Sequence, residues 1–236
     1  MRATGRLPAL AFAALILGGA SAAAMAAELA VVEARGGVSL KPGDVVDDAQ
    51  TIKLEDGQMV TLVAEDGSIL TLRGPFDQKP TGGSGGIDVA SALGALAAGQ
   101  AQNVAGVVRA ANMDVHLPSP WLVDVSHAGV ACVRPGEQPV LWRASDAGSG
   151  TLTMMPADRS WRAQAPWPAG SPTLQAPSNF PIKDGRTYLA DFGGKPVAVT
   201  LTQIPPKVTI PRMQAAWMLE KGCVAQAVAL LKAAAR

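Results

Sequence analysis

The sequence KLEDGQMVTL (residues 53–62) is followed directly by VAEDGSILTL (residues 63–72), so one ten-residue pattern occurs twice in succession. Each copy has Glu-Asp-Gly at its centre and ends in Thr-Leu. Asp-Gly between short apolar runs is a strong hairpin signal, because the turn needs a positive φ that glycine adopts without strain. The repeat therefore predicts a β-meander of three strands, at 51–54, 59–63 and 68–72.

The residues ahead of the repeat extend this β unit. The run LAVVEA (residues 29–34) is strand-like, and the turn sequences RGG (residues 35–37) and KPGD (residues 41–44) punctuate the chain before the repeat. Together these segments define a first unit at 27–76. A unit of about fifty residues has a thin core, so we expect it to pack against its neighbour.

Residues 1–26 have the pattern of a secretory signal. Two arginines precede the apolar run LAFAALILG (residues 10–18), which is too short to span a bilayer comfortably, and small residues follow it. Cleavage after Ala26 or after Ala27 fits the A-x-A pattern, and an uncleaved anchor helix is the alternative. The pattern predicts a periplasmic or secreted protein.

The charge of the mature chain excludes one class of partner. Removing 1–26 takes two of the 20 basic and none of the 19 acidic residues, which leaves a net charge near −1. Nucleic-acid binding needs a basic face or stripe, so we expect no nucleic-acid partner. Beyond the signal, the sequence has no apolar run of eighteen residues, and we expect no transmembrane segment in the mature chain.

The two cysteines of the chain, Cys132 and Cys223, both lie in the mature part. An even count in an exported chain favours a disulfide between them, and two buried free thiols are the alternative. The two histidines, His116 and His127, have no ligand spacing beside them, and we expect no metal site.

Residues 77–117 are predicted to connect two β units. KPTGGSGG (residues 79–86) has the composition of a flexible linker, and residues 87–110 favour a short connector helix that Gly94 and Gly99 weaken.

The second unit, at 118–206, is predicted to be β-sandwich-like. Six short apolar runs between turn signals favour strands at 121–125, 129–133, 139–142, 150–154, 186–190 and 197–201. The proline-rich stretch 166–181 is interpreted as a long ordered loop.

The segment 207–236 is predicted to form a helical hairpin cap. Proline is tolerated at the first position of a helix, so a helix beginning at Pro211 is expected, and Gly222 separates it from a second helix at 224–235. Helical spacing places one set of residues on the apolar face of the second helix: Val224, Ala227, Val228 and Leu231. Residues 215–231 also resemble one repeat of tetratricopeptide type, and since one repeat cannot bury its own core, we expect a cap that packs on the sheet.

The polar residues of the chain do not indicate a catalyst. Ser126 and His127 follow Asp124, but neighbours in a strand point to opposite faces, and no Gly-x-Ser-x-Gly elbow exists. The acidic pairs at 55–56 and 65–66 lack calcium-loop spacing, and hairpin turns explain them. We expect neither catalytic residues nor a cofactor.

Two tryptophans form the candidate binding surface. Trp161 and Trp167 flank a loop with Arg159 and Arg162, and exposed aromatic rings can stack on a sugar or anchor a partner protein. Packing in the core is the alternative for each ring.

Residues 29–75 resemble the FecR-like domains of bacterial envelope proteins. The matching features are GGVSL (residues 36–40), KPGD (residues 41–44) and EDGSILTL (residues 65–72). The resemblance implies a periplasmic β module used for protein contact, without catalytic residues.

The sequence as a whole predicts an exported, mainly β, non-catalytic protein. Its expected role is that of a scaffold or accessory module that binds another envelope protein through a strand edge of the meander. A cell-wall glycan bound by exposed tryptophans is the alternative ligand, and an enzyme whose site the sequence does not reveal is the third hypothesis.

Overall fold

The computed structural model describes residues 27–80, 117–143, 148–178, 180–181 and 183–234. The signal at 1–26, residues 81–86 of the predicted linker, the helix predicted at 87–110 and His116 lie outside them. The described elements, in chain order, are β1 (Glu28–Arg35), β2 (Val45–Asp47), β3 (Ile52–Leu54), β4 (Met59–Ala64), β5 (Ile69–Arg73), β6 (Phe76–Gln78), β7 (Leu122–Asp124), β8 (Gly129–Val133), β9 (Val140–Trp142), β10 (Gly150–Pro156), β11 (Ala163–Trp167), β12 (Thr173–Gln175), β13 (Arg186–Asp191), β14 (Val197–Gln203), α1 (Pro211–Glu220) and α2 (Val224–Ala234). The prediction of a mainly β fold with a C-terminal helical cap is confirmed.

The first unit pairs its strands differently from the predicted meander. Its four-stranded sheet has the order β2-β1-β4-β5, whereas β3 pairs with β6 in a separate two-stranded sheet. The expected pairing of β3 with β4 is therefore wrong. The eight-residue β1 offers β4 a longer and more apolar partner than the three-residue β3 does. The strand β6 also extends the unit to Gln78, two residues beyond the predicted end at 76.

The second Asp-Gly turn forms the predicted hairpin. The strands β4 and β5 are antiparallel, and the turn is closed by a hydrogen bond of 2.9 Å from the Ala64 N–H to the Ser68 carbonyl. Gly67 has a φ of 86°, a conformation that favours glycine. The Asp-Gly signal at this turn therefore reflects the positive φ that Gly67 adopts.

The two faces of the first sheet bury different sets of residues. One face packs against β3 and β6 around a first core of Leu29, Val31, Val46, Ile52, Leu54, Val60, Leu62 and Leu72. The other face contributes Ala30, Val32 and Val63 to a junction core shared with both helices and with Cys132. The expectation that this unit packs against its neighbour is confirmed.

The second unit consists of a five-stranded sheet, of order β11-β10-β13-β14-β8, and a three-stranded sheet, of order β12-β9-β7. All six predicted strands are present, as β7 to β10, β13 and β14. A sandwich core that includes Leu141, Leu152, Tyr188 and Leu201 joins the two sheets.

Two further strands lie wholly or partly within the predicted proline-rich loop, so that interpretation is wrong for them. The strand β11 contains Pro166, and β12 follows Pro172. Both are edge strands, where proline is tolerated because one side of the strand needs no N–H donor.

The C-terminal helices join the two β units. The helix α1 begins at Pro211 as predicted, and the disulfide between Cys132 and Cys223 is confirmed, with Cα atoms 5.8 Å apart. Lys221, at the end of α1, donates to the Val32 carbonyl at 2.9 Å, at the bulge of β1. The cap therefore packs on the first sheet and is covalently tied to the second unit.

The buried face of α2 differs from the prediction. Its buried residues are Gln226, Ala227 and Leu230, whereas three of the four predicted face residues are only partly buried. The helix is rotated so that its one buried polar side chain meets the edge of β8.

Among the described residues, no helical segment has both the length and the apolar character that a membrane span requires.

Candidate binding edge

Trp167 is not available as a stacking surface. Its side chain is 0% exposed, and its Nε1–H donates to the Ser171 carbonyl at 2.7 Å. The guanidinium of Arg143 lies 4.8 Å from the ring centroid, and the ring of Phe192 lies 5.4 Å away. The prediction that Trp167 binds a ligand is wrong because the ring fills the sandwich core.

Trp161 also uses its ring for internal packing. It is half-buried and meets Phe180 edge to face at a centroid distance of 5.4 Å, with Tyr188 at 6.1 Å. Arg159 and Arg162 are exposed on the same connection, before β11. The two tryptophans contact different aromatic partners, and the four predicted residues form no common stacking platform.

A small apolar cleft opens in the sandwich core beside Phe180. The volume within it is about 10 Å³, which is the room that one water molecule needs. The cleft is lined by residues that include Leu141, Leu152, Met154, Leu174 and Phe180. It is too small for a sugar or a metabolite.

A turn brings together the side chains of Asp124 and His127 and the backbone of Ser126. Asp124 Oδ1 accepts from the Ser126 N–H at 2.7 Å, and Asp124 Oδ2 lies 2.8 Å from His127 Nδ1. An aspartate that binds the backbone two residues ahead is a common turn device. No group of three or more metal-binding side chains occurs among the described residues.

The strand edges differ in how far they are closed. At β8, Gln226 Oε1 accepts from the Cys132 N–H at 2.6 Å, and Gln226 Nε2 donates to the Cys132 carbonyl at 2.8 Å. The carboxamide thus occupies the positions that a neighbouring strand would use. This edge is closed by the helical cap.

The other edge of the five-stranded sheet, β11, contains Pro166. Because proline has no N–H, an added strand would find one donor fewer there. The outer edge of β2 has only three residues. Neither edge offers a long uninterrupted row of backbone groups.

The edge of β5 does offer such a row. The Ala64 N–H bonds the Ser68 carbonyl and the Gly74 N–H bonds the Gln58 carbonyl, which fixes the phase of the β4–β5 hairpin. In an antiparallel pair the bonded residues alternate, so the even-numbered residues of β5 bond β4. The N–H and carbonyl groups of Ile69, Thr71 and Arg73 therefore point away from β4. We call these groups the β5 edge.

The β5 edge lies at the end of its sheet, and no strand of the described ranges pairs with it. Thr71 and Arg73 are exposed, while Ile69 is half-buried against the junction core. The edge has no proline within it. It is therefore the most complete template for an added strand in the described structure.

Searches of protein-family models, curated proteins and solved structures found no match to this chain. The FecR-like resemblance of residues 29–75 stays a prediction.

Proposed function

We propose that this chain is an exported, non-catalytic envelope protein that binds an extended segment of another envelope protein by strand addition at the β5 edge. The backbone groups of Ile69, Thr71 and Arg73, which pair with no strand in the part of the chain that the structure describes, carry the proposal. Exposed strand edges bind extended chains through main-chain hydrogen bonds, with specificity from the alternating side chains.

Two further observations support a role outside the cytoplasm. The disulfide between Cys132 and Cys223 suits an oxidising compartment, and the signal pattern at 1–26 directs the chain to the periplasm or beyond. We therefore place the partner in the cell envelope. Glycan binding by tryptophans receives no support, since Trp167 is buried.

Site-specific crosslinking in the native envelope tests the proposal. A photoreactive residue at Thr71 should capture one dominant protein. The same residue at Thr151, which is also exposed but lies on the inner strand β10, serves as the matched control and should capture none. Equal capture at both positions, or none at either, would contradict the proposal.

A proline variant tests whether the partner binds the backbone groups of the β5 edge or its side chains. Thr71→Pro removes an outward N–H without removing a β4–β5 bond, and should abolish capture through a crosslinker placed at Arg73. Thr71→Val keeps the N–H and should capture as the unsubstituted protein does. Circular dichroism and melting of both variants verify that the hairpin remains folded.

A further inference from the structure

The chemistry of a bound strand can be inferred from the two faces of the β5 edge. Leu70 and Leu72 point toward the first core, and Leu70 is half-buried at its margin. A strand added beside β5 would place every second side chain next to these leucines. Apolar residues at those positions would extend the first core and cover Leu70.

The opposite face of β5 carries a positive charge. The register places Arg35, Met59 and Arg73 in one row across β1, β4 and β5. Arg35 is paired with Glu33 on its own strand. Arg73 is exposed and makes no ion pair with any residue that the structure describes. A residue beside Arg73 on the next strand would therefore meet a guanidinium that forms no ion pair with the described residues.

The other end of the edge has the opposite sign. The turn before β5 contains Glu65 and Asp66, whose carboxylates accept from the backbone N–H groups of Glu28 and Ser68. Accepting these bonds does not neutralise their charge. An acidic residue on a bound strand is thus attracted at the Arg73 end and repelled at the turn end, which favours one placement of the strand.

We infer that the partner segment is an extended strand in which apolar residues alternate with polar ones and an acidic residue lies beside Arg73. This inference rests on the proposed function at the β5 edge. Apolar contact along Leu70 and Leu72 supplies affinity, and the pairing with Arg73 sets the register.

Two synthetic peptides test the inference. Both are capped seven-residue chains of alternating threonine and valine, in which the last threonine is replaced by glutamate in one and by lysine in the other. Amide shifts of Ile69, Thr71 and Arg73 are followed by NMR in the mature protein. We expect Arg73→Gln to weaken binding of the glutamate peptide about threefold and to leave binding of the lysine peptide unchanged, because only the glutamate peptide gains a cross-strand ion pair with Arg73.

The Arg73→Glu variant is the matched reversal, and it should prefer the lysine peptide by a similar factor. Binding of the glutamate peptide that Arg73→Gln leaves unchanged would overturn the acidic-partner inference and leave strand addition intact. Failure of the glutamate peptide to shift the amides at millimolar concentration would overturn the inference and count against the proposed edge. If the protein self-associates and Thr71→Pro abolishes this self-association, the occupant of the edge is a second copy, and the inference is overturned.

Discussion

Removing the carboxamide of Gln226 should lower the free energy of unfolding substantially. The side chain is 2% exposed and makes three hydrogen bonds, two to the backbone of Cys132 and one, of 3.0 Å, to the Pro120 carbonyl. Gln226→Leu keeps most of the volume and loses all three bonds. It leaves one N–H and two carbonyls without this partner in a buried site.

The expected cost follows from those three groups. A buried donor or acceptor that loses its partner costs about 1–3 kcal/mol, and carbonyls tolerate the loss better than N–H groups do. We therefore expect Gln226→Leu to lower the free energy of unfolding by about 2–4 kcal/mol. Urea unfolding followed by tryptophan fluorescence measures the change. Gln164→Leu is the control, because Gln164 is exposed and its change should stay within about 0.5 kcal/mol.

A charged variant adds a pH signature. In Gln226→Glu one oxygen still accepts from the Cys132 N–H, but the other faces the carbonyls of Cys132 and Pro120. Burial and these carbonyls should raise the pKa of the introduced carboxyl above its unfolded value. The folded state then binds the proton more tightly, so the deficit should shrink as the pH falls through the folded pKa, whereas that of Gln226→Leu should not. Near-native stability of Gln226→Leu would refute the reasoning.

Three further outcomes are expected. Replacing Cys132 and Cys223 together by alanine should lower the free energy of unfolding by roughly 4–5 kcal/mol, since the disulfide closes a loop with a sequence separation of 91. A thiol count on the unreduced protein should find no free cysteine. Trp167→Ala should cost about 3–5 kcal/mol in urea unfolding and leave sedimentation with purified cell wall unchanged. Partial desolvation and the neighbouring charge of Glu33 raise the pKa of the exposed Glu220 carboxyl, so wild-type stability should fall as the pH rises through the folded-state pKa. Glu220→Gln should gain up to about 0.5 kcal/mol at pH 7 and lose this advantage in acid, as measured by urea midpoints.

The strand positions could be predicted because they depend on local chemistry. The Asp-Gly turn at 66–67 and the apolar runs of the second unit carry their signals within about ten residues. The pairing of β4 with β1 could not be predicted in the same way. It results from a competition between β1 and β3 for one partner, which depends on contacts between distant parts of the chain.

The candidate site was predicted in part. The sequence indicated an edge of the meander, and the observed register identifies β5 as its most complete open edge. Trp167 was misplaced because an aromatic ring beside prolines has the same sequence signal whether it is exposed or packed. Its burial depends on β11 joining β10, and Gly150 lies opposite Trp167 in that register. No local pattern indicated the role of Gln226, since a glutamine beside apolar helix residues normally faces solvent.

The contrast between β8 and β5 bears on the proposed function. Both are edge strands with exposed or partly exposed apolar residues nearby, and both would attract other chains if left open. At β8 the fold uses a buried carboxamide and an adjacent disulfide to occupy the edge. At β11 a proline reduces the number of donors. The β5 edge has neither device, although Arg73 places a charge at its end. Because a positive charge there favours an acidic segment over a basic one, it selects among partners without closing the edge. An edge protected in this selective way is better suited to binding one kind of strand than to exclusion of all strands.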